Sequence, residues 1–350
     1  MIKVKIYELD KHRNETTFRP YLMAQNVLRD VGIEFTTGDS YDFAWIGQAS
    51  FMNKKVSLEQ STQDGLEFLS KITGDYMLFD GQDATTLIGS YDVFKESNAL
   101  LLLKSTLLKD TELYDSPHVT GWVNGRYYWG IGNYKAVGFN NYKDRIKLSG
   151  TNWLSTLPKP TWYNDIPKPN DVSALFSYPS ITPVYEHGLH QSAEYDKYRK
   201  PCIDVLDRLP LKSNRPYSIE RIVNGQKYPQ QEYYQRMASC KIVLSPLGYG
   251  EYGAPRDLEA TMFGSIVIKP DISFVDTNPN WYEPNKTYIP CRNDFVDLEE
   301  KIDYVLDNFK ELQQTMIPYA RKRYEELYTL ENTAINTYNI FKQLQTIETE

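Results

Sequence analysis

The sequence predicts an α/β protein organised around parallel sheets with helices on both faces. Three observations carry that reading. From Val172 onward, short apolar runs alternate with segments of helical period, the pattern of strand–helix–strand crossovers. One of those runs, Lys241-Ile-Val-Leu-Ser, passes directly into a glycine-rich turn and then a helix. The 350 residues also exceed one ordinary module of about 100–200 residues, so two domains are expected.

The elements run in order along the chain. Ile2-Lys-Val-Lys-Ile-Tyr alternates at period two and reads as a strand. A polar loop over 10–17 leads to a helix over 19–31, stopped by Gly32. Ile33-Glu-Phe and Phe43-Ala-Trp-Ile are further short strands, and Leu58 to Ile72 is a helix ending before Gly74. Tyr76-Met-Leu-Phe is an apolar strand closing on Asp80-Gly-Gln-Asp83. From Trp122 to Trp162 the pattern is irregular, and Pro158, Pro160, Pro167 and Pro169 mark a linker, with the boundary at 165–171. Beyond it, strands are expected at 172–177, 217–223, 241–245, 265–269 and 288–290. Helices are expected at 195–209, 230–238, 255–263, 296–309 and 318–344, the last interrupted near Thr329–Asn332. The expected domains are 1–168 and 169–328, with a C-terminal helix in 329–350 packing back on the first.

Composition excludes several classes of function. Lys plus Arg number 39 against 46 Asp plus Glu, a net charge of −7, and no basic stripe is present for phosphate neutralisation. Arg321-Lys322-Arg323 is followed at once by Glu325 and Glu326, a solvated mixed face, so nucleic acid is not an expected partner. The longest apolar run, Ala99–Leu103, falls far short of the roughly 20 residues of a membrane span. The N-terminal residues enter a strand pattern with no signal-peptide core, so a cytoplasmic protein is expected. Cys202, Cys240 and Cys291 have neither disulfide nor zinc-site spacing. The 28 tyrosines suit carbohydrate, and equally an aromatic-rich core.

Chemistry concentrates in residues 241–271. Pro255 fits the first helical position, where its missing N–H costs nothing. The free N–H groups of that turn and the positive end of the helix dipole make an anion site. Arg256 adds a bidentate fork in the same turn, and Glu259 lies on the same helix face. Glu251 precedes Glu259 as Glu-x7-Glu. Alternatives stay open. Gly248-Tyr-Gly-Glu-Tyr-Gly253 matches G-x-G-x-x-G, with Asp271 after the next strand, the outline of an NAD(P)-dependent oxidoreductase. Against it, two strand–helix units precede the motif, Pro255 restarts the helix after Gly253, and Arg256 and Glu259 gain no role. The glycines can also serve only a tight turn.

The stretch Ser245–Asp271, with Arg256-Asp-Leu-Glu-Ala-x-x-x-Gly-Ser-Ile-Val-Ile, resembles the donor-binding core of GT-B glycosyltransferases, in the flavour of exostosin-like and group-1 types. The tail Asn280-Trp-Tyr … Tyr288-Ile-Pro-Cys … Asp297-Leu-Glu-Glu-Lys-Ile is similar to the segment downstream of that core in the same family, so the resemblance covers 170–310. It implies two Rossmann-like domains with parallel sheets facing across a cleft. A nucleotide-diphosphate sugar, UDP- or GDP-linked, would bind the C-terminal one and a glycan or glycoconjugate acceptor the N-terminal one. By this resemblance Arg256 holds the diphosphate, Glu259 the ribose and Glu251 the donor sugar. Ser245, Gly248, Tyr249, Gly250, Tyr252 and Gly253 line the donor turn. Arg199 is either a second phosphate ligand or a surface arginine.

No metal or other cofactor is expected, because Asp80-Gly-Gln-Asp83 lacks the Asp-x-Asp spacing that holds a divalent cation. Asp80, Asp83 and His12 are the candidate general bases for the acceptor hydroxyl, with turn capping the competing role for Asp80. His187 and His190 give only a weak metal signal, lying in a loop rather than on a clear helix. A non-catalytic carbohydrate-binding protein is the remaining alternative.

Overall fold

The computed structural model describes residues 1–7, 18–53, 56–81, 85, 87–115, 121–123, 126–128, 136–157, 159–176, 185–186, 189–190, 192–212, 215–222, 228–247 and 253–347. In the first half, β1 (Ile2–Tyr7), β2 (Ile33–Thr36), β3 (Phe43–Gly47), β4 (Asp75–Asp80) and β5 (Leu101–Lys104) alternate with helices. These helices include residues 18–23, α1 (Gln25–Asp30), α2 (Leu58–Leu69) and α3 (Ser90–Glu96). The strand β6 (Thr106–Leu108) follows directly, and β7 (Ile146–Leu148) completes the first sheet. The second half contains β8 (Asn170–Ala174), α4 (Ser192–Lys212), β9 (Ile219–Arg221), α5 (Gln230–Ala238), β10 (Cys240–Leu244) and α6 (Pro255–Met262). It continues with β11 (Ile266–Pro270), β12 (Val275–Thr277), β13 (Ile289–Cys291), α7 (Leu298–Asp307), α8 (Phe309–Leu327) and α9 (Leu330–Ile347).

Among the described residues, the six-stranded sheet has the order β2-β1-β3-β4-β5-β7 and the five-stranded sheet β9-β8-β10-β11-β13. Every pairing in both is parallel. Each sheet therefore begins in the middle, grows to one side, then reverses: the doubly wound pattern of a Rossmann-like fold.

Parallel strands with both faces covered read as continuous apolar runs, and these do. Alternate residues of β3, β4 and β5 enter different cores: Ala44, Ile46, Leu78 and Leu102 on one face, Phe43, Trp45, Met77, Phe79, Leu101 and Leu103 on the other. In the second sheet Val172, Ile242, Leu244, Ile266 and Ile268 face α4, α7 and α8, while Val243 and Val267 turn the opposite way. That opposite face shares one buried cluster with the first sheet. A direct seam adds to it: β12 pairs antiparallel with β6, and Lys109 Nζ donates to the Ser273 carbonyl at 2.6 Å.

Several elements depart from the sequence reading. Within the run Ala99–Leu103, residues 101–103 belong to strand β5, buried on both faces between β4 and the edge strand β7. The stretch read as irregular supplies β7 at the sheet edge. Helix α8 starts at Phe309 and contains Pro318 in its interior. The break between α8 and α9 falls at Tyr328–Thr329. Thr329 Oγ1 accepts from Asn332 N–H at 3.0 Å, and Asn332 Nδ2 donates to the Glu326 carbonyl at 2.6 Å, so one short segment satisfies both helix ends. Beyond it, Ala334, Ile340, Phe341 and Leu344 of α9 are buried with Trp45, Phe43 and Met77 of the first sheet.

Candidate functional site at the switch point of the second sheet

In doubly wound sheets, ligands bind outside the strand C-termini where the strand order reverses. In the second sheet that point lies between β8 and β10. Phe176 stands two residues beyond β8 and is buried. Ser245 is the first residue after β10. Its N–H donates to the Ile268 carbonyl at 2.9 Å, and its buried Oγ has no hydrogen-bond partner among the described residues.

Two cations meet at this crevice. The Arg199 guanidinium, carried by α4, lies 5.7 Å from the centroid of the Phe176 ring. Arg256, in the first turn of α6, lies 5.9 Å from the same ring. An aromatic face attracts such cations. Arg199 is 5% exposed, so the surface-arginine alternative is overturned. The two arginines are 57 residues apart in sequence, and the strand order brings them together. Two guanidinium groups beside one ring, one of them in the first turn of a helix, suit a multiply charged anion.

Glu259 follows one turn later. The Tyr234 hydroxyl donates to its Oε1 at 3.1 Å and the Tyr233 hydroxyl to its Oε2 at 3.4 Å, both from α5. Burial pushes the Glu259 carboxyl above its ordinary range, while the tyrosine hydrogen bonds and the Arg256 charge pull against that rise. Burial also pushes the Tyr233 phenol up to about 12, opposed by the charge and hydrogen bond of Arg256. Tyr233 thus feels both Arg256 and Glu259.

A buried network holds this helix in place. Asp257 is sealed from solvent, accepting from Lys269 Nζ at 2.6 Å and from the Tyr282 hydroxyl at 2.8 Å. The same oxygen accepts from the Ala254 N–H at 3.3 Å, fixing the entry to α6 just before Pro255. Gly253 lies outside the helix. A Cβ there would come within 2.9 Å of the Tyr282 hydroxyl, so the glycine makes room for that ring. The dinucleotide alternative gave Gly253 a place in helix–strand packing, and it does not have one. Gly248, Tyr249, Gly250, Glu251 and Tyr252 lie outside the described residues.

The first sheet reverses between β1 and β3. Residues 8–17, including His12, follow β1 and lie outside the described residues, as does Asp83. Asp80 ends β4 as expected but does not face open solvent. It is fully buried, with Lys104 Nζ on Oδ1 at 3.0 Å and the Ser90 hydroxyl on Oδ2. An acid so enclosed is a structural ion pair rather than an exposed base, and that correction follows from Lys104 lying on the adjacent strand. Gln48, directly after β3, has a buried Nε2 with no hydrogen-bond partner among the described residues.

Phe176, Tyr233, Tyr234 and Gln48 escape a reading by motif. Phe176 and Gln48 are marked only by lying just beyond strands that flank a reversal, which needs the strand order. The signal for the tyrosines, two adjacent phenols on an otherwise polar helix, is legible but has no partner until α6 is packed beside it.

Residues 197–338 match a family model described as glycosyl transferase-like. No curated protein matches significantly. Among solved structures, the chain is similar to Anabaena HepE in complex with UDP-glucose, with 11% identity, 99% of this chain and 100% of that one covered, and a TM-score of 0.46. It is also similar to S. aureus TarM in complex with UDP, with 12% identity, 85% of this chain and 55% of that one, and a TM-score of 0.46. A glycosyltransferase from Rickettsia africae gives 12% identity, 98% of each chain and a TM-score of 0.40. The resemblance read from Ser245–Asp271 falls within the residues this family model matches.

Proposed function

We propose that the protein is a metal-independent glycosyltransferase of GT-B architecture, moving a sugar from a nucleoside diphosphate to a hydroxyl of a glycan or glycoconjugate. The observation that carries this reading is the convergence of Arg199 and Arg256 on Phe176 at the switch point. Glycosyl transfer breaks the bond between the anomeric carbon and the diphosphate oxygen, and negative charge grows on the leaving group. Two guanidinium forks and the N–H groups of the first turn of α6 stabilise that charge without a bound cation. Glu259, one turn below, takes the ribose of the same nucleotide. The buried Ser245 hydroxyl offers a donor for a phosphate oxygen.

On the acceptor side, the first sheet contributes its own reversal point, where Gln48 lies. With Asp80 engaged by Lys104, His12 and Asp83 remain the base candidates. No helix among the described residues is long and apolar enough to cross a membrane. The proposal places the enzyme in the cytoplasm.

Calorimetry with UDP, GDP and NAD tests the reading. Binding of a nucleoside diphosphate, with slow hydrolysis of the matching sugar donor that is lost in Arg256→Ala, supports it. Tight NAD binding without nucleoside diphosphate binding refutes it.

A further inference from the structure

The Glu259 carboxylate meets an unusual pair of donors. Adjacent residues on a helix point about 100° apart, so they rarely converge on one group. Here Tyr233 and Tyr234 do converge, and each takes a different oxygen, Oε2 at 3.4 Å and Oε1 at 3.1 Å. A carboxylate has about four lone-pair positions. One phenol on each oxygen fixes the plane of the group and occupies one position per oxygen. Each oxygen then keeps a further acceptor position. Glu259 is half-buried rather than sealed, so those positions are within reach of a ligand.

We propose that Tyr233 and Tyr234 are positioning residues that set the Glu259 carboxylate to read a vicinal cis-diol, so that the site selects ribonucleotides over their 2′-deoxy counterparts. The inference rests on the nucleotide-sugar reading above and deepens it. A cis-diol presents two O–H donors on one face, matching two coplanar acceptors. A carboxylate free to rotate about its last bond meets that pair only part of the time, and the phenols remove the rotation. Tyr233 does more than Tyr234. Its hydroxyl also lies in the electrostatic field of Arg256, so one phenol feels both the proposed phosphate ligand and the proposed ribose ligand. The tyrosines themselves touch no reacting atom.

The test is a comparison of ratios. Binding of UDP, GDP, their 2′-deoxy forms and inorganic pyrophosphate is measured by calorimetry on the full chain and on Tyr233→Phe, Tyr234→Phe and Glu259→Gln. Each change removes a hydroxyl or a charge and leaves the side-chain skeleton in place, and thermal melting checks the fold. The wild type should prefer the ribo form by about tenfold or more, the lower end for hydrogen bonds to a charged acceptor. Tyr234→Phe should reduce that preference severalfold and leave pyrophosphate affinity unchanged. Tyr233→Phe should reduce the preference and also change pyrophosphate affinity, because its phenol lies in the field of Arg256. Glu259→Gln should remove most of the preference. A ribo-to-deoxy ratio that survives in both tyrosine variants overturns the positioning role while leaving the donor site standing. Absence of any nucleoside diphosphate binding by the wild type overturns both.

Discussion

Lys269 Nζ lies 2.6 Å from Asp257 Oδ2, with both side chains shut away from water beneath the first turn of α6. The pair joins the end of β11 to the helix that bears Arg256 and Glu259, and Tyr282 closes it from the side. Removing one partner leaves a buried charge without its counter-ion. Lys269→Met should therefore cost about 3–5 kcal/mol in denaturant unfolding. The double change Asp257→Leu with Lys269→Met should cost less than the single, since no charge is stranded. Equal losses would show that packing, rather than charge, is what the pair supplies.

The arginine pair predicts graded losses in affinity. Arg256→Ala should weaken nucleoside diphosphate binding by roughly 1.5–3 kcal/mol, the range for a hydrogen bond to a charged group. Arg256→Lys should recover only part of it, because a point charge lacks the fork. Arg199→Ala should fall in the same range, and since the two guanidinium groups share Phe176, the double change should not equal the sum. Unchanged affinity in both single variants would remove the anion site from this crevice.

Glu259 gives a pH dependence with a definite sign. Burial raises its carboxyl, so on acidification it gains a proton earlier than an ordinary glutamate. The folded state then holds a proton that the unfolded chain has lost, and this group's contribution to stability falls as pH rises from the ordinary carboxylate range through the raised value. A diol donates to the ionised form, so ribonucleotide affinity should rise over the same interval. Calorimetry at several pH values on wild type and Glu259→Gln separates this from titration of the phosphate. The variant should lose the extra slope.

Asp80 and Lys104 make a second buried pair, on adjacent strands of the first sheet. Lys104→Met strands the Asp80 charge and should lower stability by about 3–5 kcal/mol. Asp80→Asn should lower the melting temperature as well. A variant as stable as wild type but unable to transfer sugar would restore Asp80 to the role of base.

On the acceptor side, Gln48→Ala removes a buried amide donor that has no partner among the described residues. Its loss should leave nucleoside diphosphate affinity intact and raise KM for the acceptor. A change in donor affinity instead would move Gln48 to the other substrate.

Much of this was legible in the residues because the signals were local. The strand-to-helix passage from Lys241 to Phe263 depends on neighbouring residues alone: a β-branched run, glycines, then Pro255 at the helix start. What escaped depends on residues far apart in the chain. Leu101–Lys104 is an apolar run too short to distinguish strand from helix, and only its place between β4 and β7 decides the matter. Asp80 read as an exposed strand-end acid because its neutralising partner, Lys104, lies 24 residues away on the next strand. Arg199 likewise gained its place from the strand order, not from the residues around it. Pro318 read as a helix start, yet α8 carries it in the interior.

The burial of α9 against the first sheet bears on how the chain is made. Phe341 packs edge-on at 6.0 Å from Trp45 and at 5.9 Å from Phe43. During synthesis from the N-terminus, the strands bearing those rings emerge some three hundred residues before the helix that covers them. One flank of the early sheet must wait, its indole and phenyl rings uncovered, until α9 leaves the ribosome. A sheet made early is thus finished late.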